Sequence, residues 1–539
     1  MRPRGSGPPQ ATAPSQPGAR RCYLVPMDAY EREFAGRHRL HDVVDYWARR
    51  NPEGVALFSY DTERTVRWAD FAAHTRIIAR RFLARGFRKG HIVATSLPFS
   101  LEHIWLEYAC FRIGVMVAPL DLRLRPAEVG SCLRTVQASW HVTLQNLHEF
   151  IEEGDLASEE ALRQAAAQVS ETDAALAIFT TGSTGSPKPA LLSHRNITVQ
   201  NMCLGSAFGF REGMPLLVNL PPSHVGGQTE ALMTSLFFGG PAIVLPVFDP
   251  AKSLAAIRDC KIRVIGQIPA MFYLEWRHPD FATADLSSLE LALYGGQQVT
   301  PPFLKEMSRM APRIGTGLGL TECAGFCTYT PAGMPVEEMA ASLGFSHPAY
   351  PMSIREPLQA GGRAGRELPD GEIGYVCFHG PQTFLGYGND PEATRQTISS
   401  DGYLYTGDLG SRGPWGLQLA GRAKWVIKPA GYQVFPGDVE RHFAELPQVA
   451  ACAAVGAPHR TLSEAIVMFV ELKPGSQISL PELRRHARGI ASYMRPLHYV
   501  KLEPGQLPVN RAVKLDYVRL SEMAREEVEK LRAAGRWDA

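Results

Sequence analysis

The sequence lacks any C-x-x-C pair, any long unbroken apolar run and any large net charge. Nine scattered cysteines without a histidine cluster argue against a zinc site and are typical of reduced, mostly buried thiols in a cytoplasmic protein. The longest uncharged stretch, ALMTSLFFGGPAIVLPVF, is interrupted by Gly239, Gly240 and Pro241. It predicts a helix, a turn and a buried strand rather than a membrane span. The formal net charge of +2 gives no reason to expect nucleic acid or an acidic membrane as a partner.

The length of 539 residues predicts more than one domain, because single cores stop growing near ~250–300 residues. Residues 1–38 begin with a Pro/Gly-rich segment that has no signal-peptide apolar run, and we predict a disordered tail. Apolar runs then alternate with helical patterns, which predicts an α/β fold with parallel sheets flanked by helices. From about Gly371 shorter segments with close turns indicate a β-rich subdomain. We therefore predict a large, multi-layer N-terminal domain over 39–422 and a small α+β C-terminal lid over 423–539.

One glycine-rich loop lies in the segment IFTTGSTGSPKPALLSHRN, which runs from Ile178 to Asn196. Loops of this composition bare backbone N–H groups to phosphate. The P-loop of nucleoside triphosphatases needs glycine directly before its lysine and Ser or Thr directly after it. Here Lys188 stands between Pro187 and Pro189, so that interpretation fails. A serine hydrolase is excluded as well, because the sequence has no G-x-S-x-G nucleophile elbow.

The pattern T-T-G-S-T-G-x-P-K, followed by His194 and Asn196, resembles the phosphate loop of the adenylate-forming superfamily. This superfamily includes acyl-CoA synthetases, aryl-acid ligases, luciferases and the adenylation domains of peptide synthetases. Seven further segments resemble its other motifs in the same order: LPPSHVGG, LYGGQQVTP, GLGLTE, GEIGYVCFHGPQTFLGYGNDPEAT, GYLYTGDLG, GRAKWVIKPAGYQVFPGDVE and LPVNRAVKLD. The resemblance spans Thr180 to Asp516, and the sequence is identified as a divergent member of the superfamily.

The resemblance implies a reaction in which a carboxylate attacks the α-phosphate of ATP, releases pyrophosphate and leaves an acyl-adenylate. ATP and Mg²⁺ are then expected, with CoA or a separate carrier protein as acceptor, since no segment resembles a carrier domain. The phosphate-binding positions implied are Thr180, Thr181, Gly182, Ser183, Thr184, Gly185 and Lys188. Thr321 matches the α-phosphate contact, and Glu322 matches the magnesium ligand, a hard oxygen donor of the kind that Mg²⁺ prefers.

Further positions match the family residue by residue. Gly295, Gly296 and Gln297 match the adenine turn; Asp408 and Arg422 the ribose contacts; Lys424 the hinge; Lys514 the lysine that bridges carboxylate and α-phosphate; and His224 the histidine at the acyl pocket. Ordinary alternatives stay open for several of them. Lys188 could be a surface lysine, Asp408 a turn residue and His224 a buried core histidine.

Five residues depart from the family pattern: Pro189, Ser223, Leu318, Trp425 and Val513. They fall on the frame and leave the chemical groups in place, so we expect nucleotide binding and adenylation to persist.

The expected acid is a small aryl or short aliphatic one, because the predicted pocket near His224–Gln228, Tyr294 and Leu318–Phe326 is mixed apolar and small. No residue near His224 resembles the amino-binding aspartate of peptide synthetases. Two alternatives remain: a diazotase that adenylates nitrous acid, and a catalytically weak nucleotide-binding protein. Retention of Glu322 and Lys514 argues against the second alternative.

Overall fold

The structure is a computed structural model that describes residues 27–180, 187–509 and 515–538. Two large sheets form the body of the N-terminal part. The first has seven strands, in the spatial order Arg313–Gly315, Leu291–Tyr294, Val264–Gln267, Leu216–Val218, Ala242–Val244, Val55–Ser59 and Arg64–Arg67. All neighbours in it are parallel except the last pair, which is antiparallel. The central strands are short apolar runs because helices cover both faces of the sheet, whereas the edge strand Arg64–Arg67 is largely exposed.

The second large sheet has six strands and carries the glycine-rich loop. Its spatial order is Gly386–Tyr387, Lys188–Ser193, Ala174–Thr180, Met116–Pro119, Ile92–Ser96 and Trp140–Thr143. The last four strands are parallel, whereas Lys188–Ser193 runs antiparallel to both of its neighbours. The loop therefore joins two adjacent antiparallel strands.

A four-stranded antiparallel sheet follows, made of Met352–Arg355, Gly374–His379, Tyr403–Gly413 and Gly416–Arg422. Two short hairpins precede it, pairing Gly319–Leu320 with Gly325–Phe326 and Thr328–Tyr329 with Phe345–Ser346. The C-terminal part has its own three-stranded sheet of Val449–His459, Ser463–Leu472 and His498–Leu502. Two apolar clusters drawn entirely from this part pack on either side of it.

Helices surround these sheets. The α-helices are Met27–Glu33, Leu40–Arg50, Trp68–Ala84, Leu101–Arg112, Pro126–Val136, Leu147–Glu152, Glu159–Ala167, His194–Phe208, Thr234–Phe237, Pro250–Asp259, Pro269–Arg277, Pro301–Met310, Val336–Ala341, Pro391–Thr397, Pro436–Ala444, Leu480–His486 and Tyr517–Ala533. A π-helix covers Gly226–Met233, and 3₁₀ turns cover Pro279–Thr283, Thr321–Cys323, Ala423–Trp425, Ala487–Gly489 and Ser492–Met494. Within the described ranges, no helix is both long and apolar enough to cross a bilayer.

The predicted fold class is confirmed: parallel sheets flanked by helices, a β-rich antiparallel subdomain and a smaller α+β C-terminal domain. The uncharged stretch after Glu230 forms helix, turn and strand as predicted. All eight cysteines in the described residues are free, and seven of them are buried. The domain limits at 38 and 422 stay predictions. The predicted disordered tail lies outside the described residues over 1–26. Disorder is the wrong prediction for 27–38, because the helix Met27–Glu33 packs on the body of the protein through the buried Tyr30.

Candidate active site

The two ends of the glycine-rich loop are held together by the sheet. Thr180 pairs with Lys188 across neighbouring strands, and its hydroxyl donates to the Lys188 carbonyl at 3.3 Å. Pro189 occupies the next position, where its carbonyl accepts from Gly388 N–H at 2.8 Å. In an antiparallel strand the N–H and C=O of one residue point to the same side. The N–H that proline lacks would therefore face the short Gly386–Tyr387 strand, so Pro189 fits without disturbing the Thr180 side.

The Lys188 ammonium is partnered by a carboxylate from a distant part of the chain. Its Nζ lies 2.9 Å from Asp390 Oδ2 and 5.6 Å from the ring centroid of Tyr387. Asp390 also caps the helix Pro391–Thr397, since its side chain accepts from Ala393 N–H at 2.9 Å. That N–H and then the Lys188 ammonium hold the pKa of Asp390 below its ordinary value. Lys188 is thus partly buried and held by an ion pair beside Tyr387.

Tyr387 connects this lysine to the predicted magnesium ligand. Its hydroxyl donates to Glu322 Oε1 at 2.6 Å. Burial and then the Glu322 carboxylate raise the pKa of Tyr387 well above its ordinary value, and the nearby Arg422 guanidinium partly opposes them. Glu322 lies in the 3₁₀ turn Thr321–Cys323, whose backbone is fixed by a bond from Phe384 N–H to the Glu322 carbonyl at 3.0 Å. One oxygen of Glu322 is held by the neutral tyrosine, and the other is left for a metal ion. This arrangement fits a magnesium site with a single protein carboxylate, in which phosphate oxygens and water supply the remaining ligands.

The predicted ribose contacts are neighbours on two paired strands. Asp408 and Arg422 are register partners, and Arg422 Nε lies 2.7 Å from Asp408 Oδ1. The Asp408 residue is only 5% exposed, whereas the Arg422 side chain is about half exposed. A buried carboxylate held by one guanidinium in this way is a ready acceptor for a pair of hydroxyls. The alternative of an ordinary turn residue fails, because Asp408 lies inside the strand Tyr403–Gly413.

Lys424 follows Arg422 in the 3₁₀ turn Ala423–Trp425, at the junction with the C-terminal domain. Burial, and next the Arg422 guanidinium, lower the pKa of Lys424. Trp425, which departs from the family pattern, packs against the C-terminal domain: its ring stacks on Tyr517 with centroids 5.4 Å apart. Lys424 Nζ lies 4.7 Å from the centroid of the same ring.

The adenine turn follows directly on the strand Leu291–Tyr294. Gly295 N–H donates to the Gln267 carbonyl at 3.2 Å, and Gly296 has a φ of +95°, a left-handed conformation that favours glycine. Gln297 is exposed. The aromatic ring closest to a Cβ placed on Gly295 is that of Phe326, at 3.2 Å. The turn therefore still has an aromatic neighbour, although Leu318 stands where the family has an aromatic residue.

His224 is exposed at the start of the π-helix, and its Nδ1 accepts from Gly226 N–H at 3.0 Å. The alternative of a buried core histidine is therefore wrong. One turn further on, Thr229 Oγ1 donates to the Ala324 carbonyl at 2.6 Å, and Phe326 N–H donates to Glu230 Oε1 at 2.6 Å. These two bonds tie the π-helix to the hairpin that carries Glu322.

Some of the predicted site lies outside the described residues, namely Thr181, Gly182, Ser183, Thr184, Gly185 and Lys514. The departure at Val513 lies outside them too. The structure brings Lys188 and Glu322 together around Tyr387, and the charge of Arg422 acts on the same tyrosine. Sequence reasoning missed Tyr387, Asp390 and Glu230. The first two stand in GYGNDPEAT, the end of one of the segments that resemble the family, but nothing in the sequence links this segment to the distant loop.

Comparisons with known proteins agree with this architecture. Residues 44–388 match the family model described as AMP-binding enzyme, and 438–514 match AMP-binding enzyme C-terminal domain. Feruloyl-CoA synthase of an Amycolatopsis species is 28% identical over 83% of this chain and 92% of its own. Fatty acid–[acyl-carrier-protein] ligase ScoC of Streptomyces coeruleorubidus is 27% identical over 81% and 88%.

A solved structure of O-succinylbenzoate coenzyme A synthetase (MenE) from Bacillus subtilis, in complex with ATP and magnesium ion, is similar in fold. It superposes with a TM-score of 0.73 at 22% identity, over 88% of this chain and 98% of that one. The family model alone covers well over half of the sequence. The chain therefore belongs to the AMP-binding enzyme family and is an ATP-dependent, AMP-forming ligase of the acyl-CoA synthetase type.

Proposed function

We propose that this enzyme adenylates a small aryl or short aliphatic carboxylic acid and passes the acyl group to CoA or to a separate carrier protein. The acid's oxygen forms a bond to the α-phosphorus of ATP, the bond from that phosphorus to the β-phosphate oxygen breaks, and pyrophosphate leaves. The observation that carries the proposal is the cluster around Tyr387. There Lys188 lies over the Tyr387 ring and Glu322 accepts from its hydroxyl, so a lysine and a carboxylate from two separate motifs meet at one tyrosine.

Both reactants are anions, so the site has to neutralise charge where it develops. Lys188 supplies one positive charge, which phosphate oxygens would take over from Asp390. Asp408, buried and fixed by Arg422, would accept the ribose hydroxyls and so fix the nucleotide. Lys514 stays the predicted bridge between carboxylate and α-phosphate.

Magnesium is proposed at Glu322, where a bound ion would draw charge from the phosphate oxygens. The chain's own contribution there is orientation. The Tyr387 hydroxyl binds one oxygen of the Glu322 carboxylate, and Phe384 N–H binds the Glu322 carbonyl. These two hydrogen bonds fix the side chain and the backbone, and so the orientation of the second carboxylate oxygen. The domain division proposed is that of a body over 39–422 and a lid over 423–539, with Lys424 at the pivot.

The test is ATP–pyrophosphate exchange over a panel of aryl, aliphatic and amino acids, with nitrite plus an aryl amine included. We expect exchange that depends on one class of carboxylic acid and falls at least about 10²-fold in Lys188→Ala. Turnover with nitrite and an amine alone would replace the proposal by a diazotase. ATP binding by calorimetry without exchange for any acid would leave a nucleotide-binding protein.

A further inference from the structure

One carboxylate beside the proposed active site has no part in the chemistry described above. Glu230 projects from the π-helix Gly226–Met233 toward the hairpin that carries Thr321 and Glu322. π-helical turns are rare and concentrate at functional sites, because the wider turn re-aims side chains. Here the π-helix is pinned at Thr229 and Glu230 to the backbone of Ala324 and Phe326. Its position is therefore fixed relative to Glu322.

Only one oxygen of Glu230 is occupied. Oε1 accepts from Phe326 N–H at 2.6 Å. Among the described residues no donor reaches Oε2, and this oxygen is not among the fully enclosed polar atoms that lack a partner. The residue is half-buried. Oε2 therefore keeps some solvent access and has no hydrogen-bond partner among the described residues.

Two glycines let the backbone lie close to the Glu230 side chain, Gly325 beside the bonded oxygen and Gly226 beside Oε2. A Cβ on Gly325 would lie 2.6 Å from Glu230 Cγ and 2.7 Å from Oε1. A Cβ on Gly226 would lie 3.6 Å from Oε2 and 3.2 Å from His224 Nδ1. We define the recess bounded by Gly226, Glu230, Gly325 and Phe326 as the Glu230 recess. The ring of Phe326, whose N–H binds Glu230, lies against Gly295 of the predicted adenine turn.

A second carboxyl behind the same helix has a different environment. Glu107 is fully buried, and Oε2 accepts from Gln228 Nε2 at 2.9 Å. Burial raises the pKa of Glu107 to about 8, and the Gln228 bond partly opposes the rise. Glu107 has no surface in the recess, so it anchors the π-helix from behind. Glu230 is the carboxylate that a bound molecule can reach.

We propose that Glu230 determines the acyl specificity, and that the Glu230 recess takes the end of an acid that carries a hydrogen-bond donor, a hydroxyl or an amine. This inference rests on the proposed adenylation of a carboxylic acid. A methyl-terminated acyl group would cover Oε2 and leave a desolvated carboxylate without a partner, which is unfavourable. Sites built to bond a substrate OH or NH reject analogues that lack it far more strongly than apolar pockets discriminate size.

The same carboxylate would orient the acid. The substrate's own carboxylate is repelled by Glu230 and attracted by Lys188 and Arg422, so it enters with its donor-bearing end toward the recess. The orientation that brings the reacting oxygen to the phosphate end is therefore also the one that satisfies Oε2. Specificity and positioning depend on one side chain.

The experiment compares acids of equal size: 4-hydroxy-, 4-amino- and 4-methylcinnamate, and 6-hydroxyhexanoate against heptanoate, by pyrophosphate exchange. We expect the donor-bearing acids to exceed the methyl acids in kcat/KM by on the order of 10²-fold. Glu230→Gln keeps an acceptor for Phe326 N–H but replaces the carboxylate. It should lower the preference at least ten-fold. An arylamine is not protonated near pH 7, so both arms present a neutral donor and they separate an O–H from an N–H donor.

Two further variants separate specificity from folding. Glu275→Gln alters another carboxyl that is buried and bonded, by Ser253 and Gln267, and should leave the preference unchanged. Gly226→Ala keeps Glu230 but places a methyl in the recess, and should lose the same preference. Equal use of hydroxy and methyl acids by the wild type, or a preference retained in Glu230→Gln, would overturn the inference.

Failure of the proposed function is distinguishable from failure of this inference. If no acid supports exchange, calorimetric titration of the same acids into the ATP-loaded protein decides the inference by itself. Tighter binding of donor-bearing acids, lost in Glu230→Gln, would support it. Equal binding, or no binding of either class, would overturn it.

Discussion

Charged side chains are partnered differently in two regions of the site: the phosphate end, formed by Lys188, Glu322 and Asp408 with their partners, and the Glu230 recess. At the phosphate end each charged group already has a partner: Lys188 has Asp390, Glu322 has Tyr387 and Asp408 has Arg422. In the recess Glu230 has a partner for one oxygen only. A charged side chain that already has a partner can give up that partner for a charged group of a common ligand such as ATP. A half-partnered carboxylate calls for a specific complement, so the first region is suited to holding a nucleotide and the second to selecting an acid.

The largest effect that sharpens this comparison should come from Asp408→Ala. Removing a buried carboxylate takes away the ribose acceptor and leaves Arg422 without its partner. We expect kcat/KM for ATP to fall roughly 10²- to 10³-fold, measured by exchange at varied ATP. The matched control is Asp370→Ala, whose carboxylate also meets an arginine Nε, that of Arg412 at 2.9 Å, but on the surface of the same sheet. A comparable loss in both variants would contradict a nucleotide-specific role.

Glu322→Gln tests whether the second pair at the phosphate end serves a metal. The amide oxygen can still accept from the Tyr387 hydroxyl, so only the charge is removed. We expect a loss on the order of 10²-fold in exchange rate and a higher magnesium concentration for half-maximal rate.

Tyr387→Phe is the companion variant, since it keeps the Glu322 charge and removes only its orientation. A loss of about 10-fold is expected. An unchanged magnesium requirement in Glu322→Gln would remove this residue from the proposed metal site.

The two regions also differ in how far the sequence predicts them. The strands around the phosphate end are apolar runs bounded by Gly and Pro, so their existence could be predicted. Lys188 begins one of them, whereas Asp408 lies inside another, which the turn-like sequence YTGDLG did not indicate. Asp390 could not be paired with Lys188, because the two are far apart in the sequence and nothing local links them. Glu230 lies in an apolar, helix-like segment. There a single acid is not distinguished from a solvated one until the fold shows the backbone N–H of Phe326 against it.

Acidity provides a test confined to the recess. Burial raises the pKa of Glu230 to about 7, partly offset by the Phe326 N–H. The titratable neighbours are the exposed His224 and the buried Cys327 and Tyr329. Burial raises the pKa values of Cys327 and Tyr329 well above their ordinary ones. An ionised carboxylate accepts hydrogen bonds more strongly than a neutral carboxyl. We expect the preference for donor-bearing acids to grow several-fold from pH 6 to pH 8.

The pH dependence of protein stability has the opposite sign to that of the substrate preference. The folded protein holds this proton more tightly than the unfolded chain, so Glu230 contributes less stability as pH rises from its ordinary pKa of 4.5 to about 7. Glu230→Gln should flatten both dependences, which would assign them to the Glu230 carboxyl. A preference that still grows with pH in that variant would assign the effect to another group.

The smallest effect should come from Asp390→Asn, and it tests whether pairing at the phosphate end really is exchangeable. Asparagine is as good a helix cap as aspartate, so the bond from Ala393 N–H is kept while the charge facing Lys188 is lost. Phosphate then no longer competes with a carboxylate for the lysine, and we expect KM for ATP to fall roughly two- to five-fold with kcat little changed, measured by exchange at low ionic strength. In a Lys188→Met background the same substitution should have no effect on KM, because the benefit depends on the lysine. A rise in KM on Asp390→Asn would instead mean that Asp390 positions Lys188 for phosphate, and the phosphate end would then be preorganised in the same sense as the recess.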